Sequence, residues 1–181
     1  MLRHVEAFVK ARHDAAAWER LVATLPESDR EVLGGLVLDG AWYPIGTWNR
    51  ILGALCEAPG AHPRTLLLEM ARFMADRDLN VVFKVLLRMR SPAYIVKRTP
   101  QLWKRHYDMG SVSVTQEETH FSVRLEAPTD IEDGPCRWVC NEGTIGWMTH
   151  ALELVGVDRP RVAHVACRFD GEPACRYDVR Y

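Results

Sequence analysis

An α+β domain is predicted, with N-terminal helices packed on a four-stranded antiparallel sheet in the order helices, β-β, helix, β-β. Two patterns carry this reading. Apolar residues recur at spacings of three and four up to about residue 110, and at a spacing of two in most of the chain after it. The third observation is size: 181 residues, 48% hydrophobic and 26% charged, suit one domain over 1–181 with a single sizeable core. Within it, 1–110 is the helical part and 111–181 the strand-helix-strand part.

In chain order, Val5, Phe8 and Val9, then Trp18, Leu21, Val22 and Leu25, keep helical spacing until Pro26 breaks it. Ser28 with Glu31 three residues on reads as a capping box, opening a short helix that stops at Gly40. Pro44 suits a first helical position, and Ile45, Trp48, Leu52 and Leu55 continue to Pro59-Gly60. His62-Pro63 starts another helix with an inner stripe of Leu66, Met70, Phe73 and Met74, leading into Val81 to Leu87, apolar almost all round and so expected to be buried. Ser91-Pro92 and Thr99-Pro100 read as N-cap and first-turn pairs, with Leu102, Trp103 and Tyr107 following. After Gly110, Val112 and Val114, then Phe121, Val123 and Leu125, alternate with polar residues as an antiparallel pair turning near Gln116 to Glu118. A helix from Pro135 to about Val155 turns Ile145, Met148, Leu152 and Val155 inward, while Gly143 and Gly146 weaken its first half and permit close backbone packing. Asp170-Gly171-Glu172-Pro173 is a turn between strands 161–169 and 174–181.

Composition excludes several functions. The formal net charge is −1, so no global field draws the chain to nucleic acid or an anionic membrane. No membrane span or signal peptide is read in it, and a cytoplasmic location is expected. The chain has no P-loop, G-x-G-x-x-G, H-E-x-x-H or G-x-S-x-G pattern, and no enzyme activity is predicted.

Five cysteines, an odd number, point to reduced thiols or a metal rather than a disulfide framework. Cys136 and Cys140 are four apart near a helix start, and Cys167 and Cys175 bracket the last turn. A thiolate cluster with His164 as a further ligand would suit zinc, although His164 and Cys167 reach one site only through a bulge or a strand end. The bland alternative is that these thiols are small buried hydrophobes. A nucleophilic Cys136 at a helix N-terminus, with His150 or His164 as base, is a weaker reading because nothing fixes either beside the thiol. Histidines other than His164 are expected at the surface.

Lys84, Arg88, Arg90, Lys97, Arg98, Lys104 and Arg105 fall in a stretch without an acidic residue. It reads as a solvated helix face or, alternatively, as the dock for an acidic partner; no nucleic-acid motif accompanies it. Six tryptophans are many for this length. Trp48, Trp138 and Trp147, with Tyr94, are the candidates to line an apolar ligand cavity between helices and sheet.

Taken together, Trp42-Tyr43-Pro44, Arg88 with Ser91-Pro92, Trp103 before Asp108 and Gly110, Gly146-Trp147 and the closing Cys167-(seven residues)-Cys175-Arg-Tyr resemble one superfamily over nearly the whole chain. It contains the four-vinyl-reductase-type sensor domains, the haem-nitric-oxide-binding relatives and the small subunits of the TRAPP tethering particle. The similarity is greatest to a bacterial branch of about this length. It implies helices on a four-stranded sheet, a homodimer, and an apolar cavity for small or lipid-like molecules. Aromatic-effector sensors of that superfamily hold zinc with two cysteines eight apart, an acidic residue three before the first, and a cysteine about 26 upstream. Cys167 and Cys175 match the pair, Cys140 lies 27 upstream and His164 takes the acidic position, which implies Cys140, His164, Cys167 and Cys175 as the ligand set. The Tyr-x-Ser-x-Arg pattern that grips haem propionates is missing, since Tyr177-Asp-Val-Arg180 is no substitute, so no haem is expected. The prediction is a non-enzymatic sensor or regulatory module for a small apolar ligand, signalling to a separate protein, with a pure protein-interaction or scaffold module as the alternative.

Overall fold

A computed structural model describes residues 1–82 and 91–181, with no account of the side chains of 80–82. Eight α-helices and four strands lie among the described residues. The helices are α1 (Leu2–Arg12), α2 (Ala15–Ala23), α3 (Glu27–Gly34), α4 (Ile45–Glu57), α5 (Pro63–Val82), α6 (Pro92–Lys97), α7 (Thr99–His106) and α8 (Thr144–Leu154). The strands β1 (Ser111–Gln116), β2 (Phe121–Glu126), β3 (Arg161–Ala166) and β4 (Cys175–Arg180) form one antiparallel sheet in the order β1-β2-β4-β3. The expected α+β class and strand order along the chain are those observed.

Caps account for most boundary differences. Asp14 breaks the first helical run in two, because its side chain accepts from Ala17 N at 2.5 Å and opens α2. The helix α3 begins after Pro26 and ends before Gly35, short of the expected Gly40, and no side-chain capping bond forms at its start. Pro44 is the cap of α4 rather than its first helical residue. Ser91 caps α6 as expected, its hydroxyl oxygen accepting from Tyr94 N at 3.3 Å. Thr99 instead lies inside α7, and its hydroxyl donates back to Val96 O. The expected burial of Val81 to Leu87 lies outside the described residues.

The inner sheet face presents Phe121, Val123, Leu125, Cys175, Tyr177 and Val179, all buried with the helical stripes in one core. Complete burial of such a side chain stabilises by roughly 1.5–3 kcal/mol. Two polar staples hold the helical layer. Buried Asp29 accepts from Thr47 Oγ1 (2.6 Å) and from Arg50 Nε (2.6 Å), and these bonds hold its carboxyl below the usual range despite burial. Asn49 on α4 donates to Ile131 O and Gly134 O and accepts from Cys136 N, fixing the loop before the last helix.

That last helix is not continuous α. Residues Val139–Gly143 form a π turn before α8, a wider turn that alters which side chains face which neighbour. Gly146 then lets α8 approach α5 closely: a Cβ there would lie 2.9 Å from Ala71 Cβ and 3.0 Å from Leu68 O. No helix among the described residues is long and apolar enough to cross a membrane.

Candidate functional site

The helices line a partly open cavity of about 120 Å³. Its walls come from α4 (Trp48, Leu52), α5 (Leu67, Met70, Ala71, Met74, Asp78), α7 (Leu102, Trp103, His106), the 138–148 segment (Trp138, Val139, Trp147, Met148) and Met1. No strand residue lines it, so the space lies within the helical layer and not between helices and sheet. The physical reason is that the inner sheet face is already filled by the core side chains named above. Trp48, Trp138 and Trp147 all line the cavity. Tyr94 does not: it sits in the first turn of α6, with Arg98 over its ring at 4.9 Å.

One polar knot interrupts these walls. Buried Asp78 on α5 lies 3.4 Å from His4 Nδ1, 3.3 Å from His106 Nε2, and accepts from Trp147 Nε1 at 3.1 Å. Burial alone would push this carboxyl up; bonds from His106, His4 and Trp147 outweigh it and hold Asp78 well below the usual carboxylate range. The expectation of surface histidines is therefore corrected for His4 and His106, drawn in by a buried carboxylate that needs partners. Asp78 had a readable signal. It extends the Met70, Met74 stripe by one more step of four and so points inward.

A second cluster lies under the closing hairpin. His164, Cys167 and Cys175 place their ligand atoms within 4.8 Å of one another. The register slips between His164 and Ala166, which supplies the bulge needed for His164 and Cys167 to share one site. His164 stacks on Tyr177, its Nδ1 lies 2.8 Å from Asn141 Oδ1, and its Nε2 is buried with no hydrogen-bond partner among the described residues. With Nδ1–H donating to Asn141, Nε2 carries a free lone pair.

Cys140 stands outside that trio, bound to Arg168. This arginine is 5% exposed; its Nη1 lies 2.7 Å from Cys140 Sγ and 3.7 Å from Cys175 Sγ, and Nη2 donates to Pro135 O. A buried guanidinium that lies over the Phe169 ring, with sulfurs and a carbonyl as its hydrogen-bond partners among the described residues, favours one thiolate. The hydrogen bond between the two thiols raises Cys140 and lowers Cys175. Because Arg168 is nearer Cys140, the charge belongs to the pair rather than to one sulfur. Arg168 and Asn141 were not legible as site residues, since neither belongs to a ligand pattern.

Cys136 is not activated. Burial pushes its thiol up, and that outweighs the backbone bonds at the helix start. Of the basic stretch, Lys84, Arg88 and Arg90 lie outside the described residues. Lys97 sits 5.8 Å from the Phe121 ring centroid and Arg98 over Tyr94, while Lys104 and Arg105 are exposed on α7.

No family model matches the sequence, and no curated protein matches it. Among solved structures, an H-NOX protein from S. oneidensis in the Fe(II) ligation state superposes with a TM-score of 0.75 at 11% identity, covering 98% of this chain and 92% of that one. The Fe(II) unliganded H-NOX protein from K. algicida gives 0.71 at 11% identity, with 99% and 93% covered. The H-NOX from Shewanella woodyi, IWP-051-bound in the Fe(II)CO state, gives 0.69 at 8% identity, with 98% and 90% covered. At these identities the likeness is one of fold.

These neighbours correct the cofactor expectation. A fold covering nearly this whole chain occurs in proteins solved in Fe(II) states, and another such structure comes from a study of heme distortion in the H-NOX family. The missing Tyr-x-Ser-x-Arg pattern is therefore no ground for excluding haem. None of these structures is described with zinc, so the zinc expectation gains nothing from them. Among the described residues the one imidazole on the cavity wall is that of His106, and its Nε2 faces Asp78 Oδ2 at 3.3 Å, so in this arrangement it is not free to take a metal.

Proposed function

We propose that this chain is a non-enzymatic sensor or regulatory module that takes a small apolar molecule into the helix-bounded cavity and passes occupancy to a separate partner protein. The cavity carries the reading. Its wall is nearly all carbon and aromatic, and an engineered apolar cavity of about 150 Å³ stays dry and takes benzene or xenon. Its size favours compact guests over long acyl chains. If haem is the guest, the helices must part beyond the present space of about 120 Å³ and His106 Nε2 must leave Asp78 before it could hold the iron, and the group would supply a site for a diatomic gas. The chain's own residues then exclude water through Trp48, Leu52, Met70 and Met148.

The test is titration with benzene, followed by methyl NMR, and with haemin, followed by absorbance. Shifts at Leu52, Leu67 and Met148, or a haem band lost in His106→Ala, support the proposal. Neither response at saturating probe overturns it.

A second reading rests on the His164, Cys167 and Cys175 cluster, which is suited to a soft divalent ion with Cys140 close by. Cobalt(II) titration should give a thiolate-to-metal absorption band that Cys175→Ser removes and Cys56→Ser leaves intact, because Cys56 lies apart on α4. Absence of the band in the parent chain sinks this reading.

A further inference from the structure

We infer that the solvent-facing side of the sheet is a docking platform for an acidic segment of a partner protein, held by two arginine pairs set face to face across the strands. The register places Arg124 directly opposite Arg176 on β2 and β4, and Arg180 directly opposite Arg161 on β4 and β3. All four are exposed, on the face away from the core. Like charges directly opposite one another weaken a strand pair, with side chains roughly 5 Å apart. A sheet carrying two such pairs gives up stability on its own.

Three of the four charges are not neutralised by any carboxylate among the described residues. Arg124 bonds to Glu126 (Nε–Oε1 2.9 Å), but Arg161, Arg176 and Arg180 have no carboxylate partner among the described residues. Guanidinium groups suit carboxylates, which they can hold by two parallel bonds. An acidic segment fills that vacancy and at the same time relieves the repulsion.

The spacing identifies the class of partner. Arg176 and Arg180 are four residues apart on one strand, so the two cationic pairs are separated by roughly 13 Å at ~3.4 Å per residue. Between them, on the same face, stands Asp178, 3.5 Å from His120 Nε2 and opposite Ala163. A positive-negative-positive row opposes a continuous phosphate backbone, which would meet Asp178 midway. It complements a helix carrying acidic groups about seven to eight residues apart, roughly two turns on along one face at ~1.5 Å rise each, with a basic residue between them on that face. This is independent of whatever enters the cavity.

The probe is a synthetic helical peptide with a Glu pair at each end, spaced in that way, and a Lys in the middle. A peptide of the same composition with its charges evenly scattered is the control, and a short oligothymidine tests nucleic acid. Fluorescence anisotropy at low salt should show the patterned peptide binding at least about tenfold tighter than either control, with the advantage lost in R176S/R180S and in R161S. The same variants should melt no lower than the parent, since each removes a repulsion. Equal binding of the scattered peptide or the oligothymidine overturns the inference. So does unchanged peptide affinity in the variants, or a drop in their melting temperature.

Discussion

The cavity and the sulfur cluster lie on opposite sides of one short segment and are built on contrary principles. The π turn Val139–Gly143 gives Val139 and Gly143 to the cavity wall and Cys140 and Asn141 to the cluster. On the cavity side there is apolar surface with one carboxylate knot. Across the turn, thiols, an imidazole and a guanidinium gather, with the His164 ring stacked on Tyr177 and Arg168 over the Phe169 ring. The contrast shows where each region's strength lies. The cavity depends on shape, so it answers to volume; the cluster depends on charge pairing, so it answers to the loss of a single partner.

The sharpest way to break this contrast is Arg168→Ala. It removes the buried cation that the thiol pair and Pro135 O rely on, and should cost about 3–4 kcal/mol in urea denaturation while benzene still enters the cavity. A loss under about 1 kcal/mol would mean the cluster is held by packing after all.

Next in size is Asp78→Asn, expected to cost about 2 kcal/mol near neutral pH because bonds from two histidines and Trp147 to a charged acceptor are weakened. Asp78 is depressed in the folded state, so its contribution is present above the ordinary carboxylate pKa of about 4 and fades as pH falls toward the folded value. Melting curves between neutral and strongly acidic pH should therefore fall more steeply for the parent than for Asp78→Asn. Parallel curves would remove Asp78 from the account of acid sensitivity.

Gly146→Ala tests shape alone. Its Cβ would press on Ala71 and the Leu68 carbonyl, at an expected cost of about 1–2 kcal/mol, and should alter cavity probe binding without changing a cobalt band. The smallest effect is Asn141→Ala, which frees the His164 ring and should weaken cobalt(II) affinity about tenfold, with little change in melting. An Asn141→Ala protein with unaltered cobalt affinity would show that the ring is held by Tyr177 stacking instead.

Legibility in the sequence followed the same division. Period-three-and-four and period-two patterns exposed the class, most helices and both hairpins, because burial of a face repeats along an element. Gly146 announced close packing, since a glycine within an apolar helix has few other uses. The cap positions were harder: Ser28 looks like a cap, yet Pro26 holds that position, and Asp14 splits a run whose apolar spacing continues through it. In the candidate sites, Trp48, Trp138 and Trp147 meet at the cavity because large aromatics leave gaps that smaller neighbours do not fill, whereas Tyr94 is spent in a first turn. His4, His106 and Arg168 were hidden. Each is placed by a partner distant in the chain, namely Asp78 or Cys140, and single-residue spacing holds no trace of such pairings.

The slipped register in β3 has one further consequence. β3 is an outer strand of the sheet, a place where a row of unpaired amide and carbonyl groups would invite a stranger's chain to add on and start a fibre. The irregularity between His164 and Ala166, with Arg161 a few residues before it, interrupts that row. The same kink that turns an imidazole toward the sulfurs thus also guards the molecule against self-templated aggregation.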